Sequence, residues 1–193
     1  MLYSTCNFLQ KITLNSFSNY EVYGKENVPP VGPLIVVSNH LSNIDPSILA
    51  VSVPRRLKFL AKSSLFTGPF ISSLLKWYGA HPLHRDRVDV SSFKWAVNHL
   101  HKDGVISIFP EGTRTTQGED KQYKPGVVAL YKRFNIPIIP MALNSGRYWG
   151  KNSLLKNKGK IIFQFLPPIK TKLSRDQFMI ELKNCIQNAS QNL

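Results

Sequence analysis

His40 and Asp45 stand five residues apart in the stretch Asn39-His-Leu-Ser-Asn-Ile-Asp45. An imidazole takes up a proton near neutral pH, and a carboxylate on its other ring nitrogen fixes the tautomer and the ring orientation. Across a strand-to-helix turn the two side chains can fold back on one another. An alcohol held against His40 would then lose its proton as it attacks a carbonyl, with no nucleophile supplied by the chain. Each residue also has a plainer reading. Asp45 precedes Pro46 and serves equally as a helix cap, and a lone loop histidine is usually a polar surface residue.

A second group, Phe109-Pro-Glu-Gly-Thr-Arg114, carries anion-binding chemistry. Arg114 offers a planar fork that fits a phosphate, and Thr113 and Thr115 add hydroxyl donors. Gly112 lets the backbone turn sharply or approach a ligand closely. Glu111 beside an arginine also reads as a loop ion pair of small value. Lys62 and Arg85 are further basic candidates for the same phosphate, each of them otherwise a solvated charge. His81, His84, His99 and His101 lack the spacing of a metal site, and His99 and His101 are expected on an exposed helix end, so no metal is assigned. The chain holds no Gly-x-Ser-x-Gly elbow, no phosphate loop ending in Gly-Lys-Ser/Thr and no Gly-x-Gly-x-x-Gly. That disfavours a serine esterase, a nucleoside triphosphatase and a dinucleotide enzyme.

Strands and helices must bring these groups together. Strands are expected at 34–37, 57–61, 105–109, 137–143 and 160–165, from compact β-rich runs flanked by Pro and Gly. Helices are expected from Asp45 as N-cap with Pro46 at the first helical position, over 69–78, from Asp89 as N-cap, and over 126–134. The helix after Asp89 turns Phe93, Ala96, Val97 and Leu100 to one face. A last helix opens with Ser174 and Gln177 at capping-box spacing and buries Phe178, Leu182, Cys185, Ile186 and Ala189. Strands and helices alternate throughout, so the class is α/β, a sheet with helices packed on it. In such sheets chemistry gathers in loops at the carboxyl ends of strands, where both the 38–45 and 110–114 loops fall.

The length of 193 residues fits a single domain. A formal charge of +14 points to an anionic partner, whether nucleic acid, an anionic bilayer or a phosphorylated substrate. Its basic residues are spread along the chain, and no known nucleic-acid motif interleaves them with aromatics, which speaks against a specific nucleic-acid site. Cys6 and Cys185, at opposite ends, read as apolar fillers in a reducing compartment. No run reaches the length of a membrane-spanning helix. Residues 1–19 do place Leu2, Cys6, Leu9 and Ile12 at helical spacing, a short amphipathic segment that either lies on a membrane or packs on the domain.

Taken together, Asn39-His40 with Asp45, Phe109-Pro-Glu-Gly-Thr-Arg114 and Ile136-Pro-Ile-Ile-Pro140 resemble three ordered blocks of the glycerolipid acyltransferases, most closely the bacterial 1-acyl-glycerol-3-phosphate acyltransferases. Gly79 to Arg85 resembles a further block, and Ala61-Lys62 a basic position between the first two. The resemblance spans about residues 20–168, with 169–193 left as a C-terminal helix. It implies a mixed sheet with helices on its faces, in one acyltransferase domain. His40 would activate the sn-2 hydroxyl of lysophosphatidate and Asp45 would orient it. Glu111 and Gly112 would shape the acceptor site, Thr113 would join them in binding substrate, and Arg114, Lys62 and Arg85 would hold the phosphate. Glycerol-3-phosphate or another lysolipid is an alternative acceptor, and a non-catalytic anionic-lipid-binding protein an alternative of another class. The acyl donor would be a thioester on coenzyme A or acyl carrier protein, with no metal or bound cofactor. Attachment would be peripheral, on the cytoplasmic face of the cell membrane, through the amphipathic start and the basic surface. Two departures stand out: His-Pro-Leu-His precedes Arg85, and Thr115 takes a place where serine is usual.

Overall fold

The computed structural model describes residues 19–85, 89–134, 136, 138–150, 159–169 and 171–193. Cys6 and nearly all of the amphipathic start lie outside these residues. Seven strands form one sheet: β1 (Asn19–Tyr23), β2 (Leu34–Ser38), β3 (Leu57–Lys62), β4 (Ala80–Leu83), β5 (Val105–Ile108), β6 (Ile138–Leu143) and β7 (Lys160–Phe165). Their order is β1-β7-β6-β2-β5-β3-β4. All neighbours run parallel except β6 and β7, so the sheet is mixed.

Hydrophobicity follows position in the sheet. β2 lies between β6 and β5 and is buried along its whole length, which is why Leu34-Ile-Val-Val-Ser38 is apolar without alternation. Its odd and even residues feed separate cores. Leu34 and Val36 join Leu57, Val105, Met141 and Phe163, under helix α1 (Asp45–Ser52) with Ile48 and Leu49. Ile35 and Val37 join Ile106 and Ile138, under α3 (Val90–Leu100), α4 (Gly126–Phe134) and the C-terminal helix α6 (Arg175–Asn192). Helix α2 (Gly68–Tyr78) covers Phe59, Ala61 and Ala80 near the β4 edge, and α5 (Ser145–Tyr148) is a single turn after β6.

Several expectations are corrected. Asp45 is not an N-cap: Ile44 holds that position, and Asp45 is already helical. Two edge strands carry no strong sequence signal. β4 is the four-residue Ala-His-Pro-Leu, and its proline is tolerated because an edge strand needs fewer ladder donors. β1 begins at Asn19, inside the span read as amphipathic start, and is partly exposed. In α6 the capping box is present, but the stripe ends on buried Ser190, while Cys185 and Ala189 are only half-buried. His101 is exposed as expected. His99 is instead half-buried and stacks at 5.7 Å on Trp95, whose ring also stacks on His81 at 4.1 Å. Among the described residues no helix is long and apolar enough to cross a membrane.

Candidate active site

The chain leaves β2 toward the α1 face of the sheet, and leaves the adjacent β5 toward the α4 face. Loops that part in this way open a crevice at the carboxyl ends of the strands. His40 lies in the first loop and the 109–114 segment in the second.

Asp45 is fully buried and is the hub of the first loop. Its Oδ2 accepts hydrogen bonds from the Leu41 N–H at 2.7 Å and the Ser42 N–H at 2.8 Å. The same oxygen lies 2.9 Å from His40 Nδ1, and Oδ1 accepts from the Ser145 hydroxyl at 2.6 Å. None of these four donors is a backbone N–H of α1, so the carboxylate turns back on its own loop and does not cap the helix. With Nδ1–H donating to Asp45, Nε2 becomes the acceptor nitrogen, as a general base requires. The His40 side chain is 14% exposed, and its ring stacks on Phe109 with centroids 4.0 Å apart.

The backbone around the imidazole is fixed from three directions. The His40 carbonyl accepts from the Thr115 N–H at 2.8 Å and from its hydroxyl at 3.2 Å. The neighbouring Asn39 side chain pairs with β6 as an extra rung, accepting from Leu143 N–H at 2.9 Å and donating to Leu143 O at 3.1 Å. Asn39 Nδ2 also donates to Ser190 Oγ at 3.0 Å, and Ser190 Oγ donates to Leu143 O at 2.7 Å. Gln117 Nε2 donates to Ser190 Oγ at 3.0 Å. The last turn of α6 is therefore bonded directly to the residue that precedes His40.

In the second loop Gly112 has φ 69°, left-handed backbone that a side chain rarely adopts, and its N–H closes the turn onto Phe109 O at 3.0 Å. Glu111 is 5% exposed and turns inward, toward a small cavity of about 40 Å³ lined by Asn39, Leu41, Thr115, Tyr123 and Ser190. Burial thus takes Glu111 off the exposed surface, where sequence allowed a loop ion pair. Removal from water pushes its carboxyl up to about 8, against the opposing pull of its own and the His40 backbone N–H groups. Its Oε2 has no hydrogen-bond partner among the described residues.

Of the candidate residues, His40 and Asp45 are in direct contact, with Glu111 held to the His40 backbone. Gly112, Thr113 and Arg114 are half-buried in the same loop. Lys62 ends β3, and Arg85 follows β4 by two residues, both exposed. They share the carboxyl edge of the sheet with the Arg114 loop but stand on the next strands outward. Asp89 accepts the His84 N–H at 2.9 Å, fixing the chain just before Arg85. Burial pushes the Cys185 thiol up to about 11, in keeping with an inert filler.

Sequence reasoning missed Ser145 and Ser190. Ser145 follows β6, next to β2, so the strand-end rule that singled out the other loops pointed there too. Ser190 continues the apolar α6 stripe four residues after Ile186, and a serine at a buried stripe position was its signal.

A family profile described as Acyltransferase matches residues 19–144. The 1-acyl-sn-glycerol-3-phosphate acyltransferase of Bacillus subtilis is 32% identical, over 83% of this chain and 80% of that protein. The Pseudomonas aeruginosa protein of the same name is 33% identical, over 74% of this chain and 56% of its own length. The crystal structure of the 1-acyl-sn-glycerophosphate (LPA) acyltransferase PlsC from Thermotoga maritima superposes with a TM-score of 0.82 at 20% identity, covering 99% of this chain and 79% of that one. At that identity the likeness speaks for the fold.

Proposed function

The chain belongs to the acyltransferase family, and we propose that it moves a fatty acyl group from a thioester to the sn-2 hydroxyl of lysophosphatidate, giving phosphatidate. The relatives that carry this name support the substrate pair, and the observation that carries the chemistry is the 2.9 Å contact between His40 Nδ1 and Asp45.

His40 Nε2 takes the proton of the acceptor hydroxyl as its oxygen attacks the thioester carbonyl. The tetrahedral intermediate collapses with loss of the thiolate, which leaves as the free thiol once His40 returns the proton. Asp45 holds the tautomer and stabilises the imidazolium while it lasts. Arg114, Lys62 and Arg85 hold the acceptor phosphate from one edge of the sheet, and the turn at Glu111, Gly112 and Thr113 shapes the space beside it. The thioester is activated enough for base and orientation to suffice, so the scheme calls on no metal or bound cofactor. Coenzyme A and acyl carrier protein both qualify as carriers. The basic surface suits an anionic membrane, with the chain peripheral on its cytoplasmic face.

The deciding assay gives purified protein lysophosphatidate, glycerol-3-phosphate or other lysolipids, with each thioester donor, and identifies products by mass. Phosphatidate formed by the wild type and lost in His40→Ala is the expected result. Glycerol-3-phosphate acylated in preference would replace the acceptor. Lipid binding without any transfer would leave only a binding protein.

A further inference from the structure

Helix α2 is amphipathic in an unusual sense, because none of its residues is fully buried. Leu75 and Tyr78 face inward and pack with Phe66 on Phe59, Ala61 and Ala80. Phe70, Leu74 and Trp77, spaced four and three residues apart, form a second apolar stripe that faces out. Their exposures are 79%, 52% and 39%, with Leu65 at 55% and Ile71 at 45% beside them. Five of the nine exposed large apolar side chains among the described residues thus fall between Leu65 and Trp77. Contiguous exposure of this kind marks a contact surface.

Charge names the partner. The forty residues from Pro46 to Arg85 contain Arg55, Arg56, Lys58, Lys62, Lys76 and Arg85, and no aspartate or glutamate. Lys76 lies on α2 itself, and Arg56 reaches the Trp77 carbonyl at 3.4 Å. An outward apolar stripe with tryptophan at its end, set in a segment without a single acid, suits the interface of an anionic bilayer, where aromatic rings sit at headgroup level. A second copy of the chain would bring the same positive field against itself. Position adds to this: the turn Ser63–Leu65 leaves the carboxyl end of β3 straight after Lys62, so the stripe begins at the sheet edge that carries the site.

We infer that the outward stripe of α2, Phe70, Leu74 and Trp77 with Leu65 and Ile71, docks into an anionic lipid surface and sets the site mouth against the bilayer that holds the acceptor. The part of this that concerns the acceptor rests on the lysophosphatidate reading above. Docking itself does not.

The test compares full-length wild type with a Phe70→Ser, Leu74→Ser double variant. Binding is measured by co-sedimentation with vesicles of equimolar phosphatidylcholine and phosphatidylglycerol. Turnover is measured with lysophosphatidate in those vesicles, and with a short-chain lysophosphatidate dispersed as monomers. The expected result is about a tenfold loss of vesicle affinity, as befits two large side chains withdrawn from an interface. Vesicle turnover falls with it, while turnover of dispersed acceptor is unchanged. If the double variant lowers the thermal midpoint, Phe70→Gln alone replaces it. Unchanged vesicle binding overturns the inference and assigns attachment to another segment, residues 1–18 among them. A wild-type dimer that the variant dissolves, with vesicle binding unchanged, overturns it in favour of a second copy. An equal loss on dispersed acceptor also overturns it, as a packing role. Vesicle binding lost in the variant, with no lysophosphatidate acylated by the wild type in either form, supports docking and sinks the proposed acceptor instead.

Discussion

Asp45 spends both carboxylate oxygens on four donors, and that arrangement sets what its replacement should do. Asp45→Asn presents one oxygen and an NH2 group to the same donors, so the imidazole loses the acceptor that selects its tautomer. The expected loss in kcat is about a hundred- to ten-thousand-fold, with KM for the acceptor much less affected. Ser145→Ala removes a single donor and should cost about 1–2 kcal/mol of stability, with a far smaller kinetic effect. Saturation kinetics beside urea unfolding separates the two. Glu111 gives a prediction in pH. Its carboxyl sits at about 8 in the fold against an ordinary 4.5, so the native state holds the proton more tightly than the unfolded chain. That stability is fully present below the ordinary value and is lost as pH climbs toward the raised one. Glu111→Gln keeps the neutral shape, so it should match wild type below about pH 4.5, pull ahead steadily above it, and exceed it by a few kcal/mol near pH 8. Urea midpoints followed across that range give the answer, and a constant gap would mean that the buried carboxyl is ionised in the fold.

At the scale of elements, the two ends of α6 should behave differently. Ser174 closes a capping box at the start, far along the helix from the site, and Ser174→Ala should cost about 1 kcal/mol while kcat holds. Ser190 at the other end bonds Asn39, Gln117 and Leu143, so Ser190→Ala should cost a similar amount yet also lower kcat several-fold, by loosening the residue before His40. Chemical unfolding and initial rates on the two variants test that split. The same helix shows what could be read beforehand. Its start was legible because a capping box is local, with all its partners within four residues. Its end was not, because the partners of Ser190 come from 47 to 151 residues away. The central strands were legible from unbroken apolar runs, whereas β1 and β4 take their pairing from the sheet edge rather than from propensity. The fold sets Asp45 Oδ2 at 2.9 Å from His40 Nδ1, a contact that the five-residue spacing allowed. The helix position of Asp45 was misread because a cap and a backward-turned carboxylate begin from the same Asp-Pro sequence.

For the whole molecule the governing quantity is the +14 charge, which any anionic partner feels before contact. Lysophosphatidate and nucleic acid are both anions that such a field attracts, and salt distinguishes a built site from a diffuse field. On the proposed reading, a phosphate held by Arg114, Lys62 and Arg85 at a partly exposed edge would be screened as the Debye length shrinks from about 10 Å at 0.1 M to about 3 Å at 1 M. KM for dispersed short-chain lysophosphatidate should therefore rise several-fold over that range. The contact between His40 and fully buried Asp45 lies away from solvent and is screened much less, so kcat should stay nearly constant. Duplex DNA, lacking any matching pattern of base-reading residues, should bind only through its phosphates, with a steep salt slope and no sequence preference. Initial-rate titrations and duplex binding at matched salt check both halves. A kcat that fell as steeply as KM rose would mean that the exposed cations act on the reacting centre itself, and not only on the phosphate that anchors the acceptor.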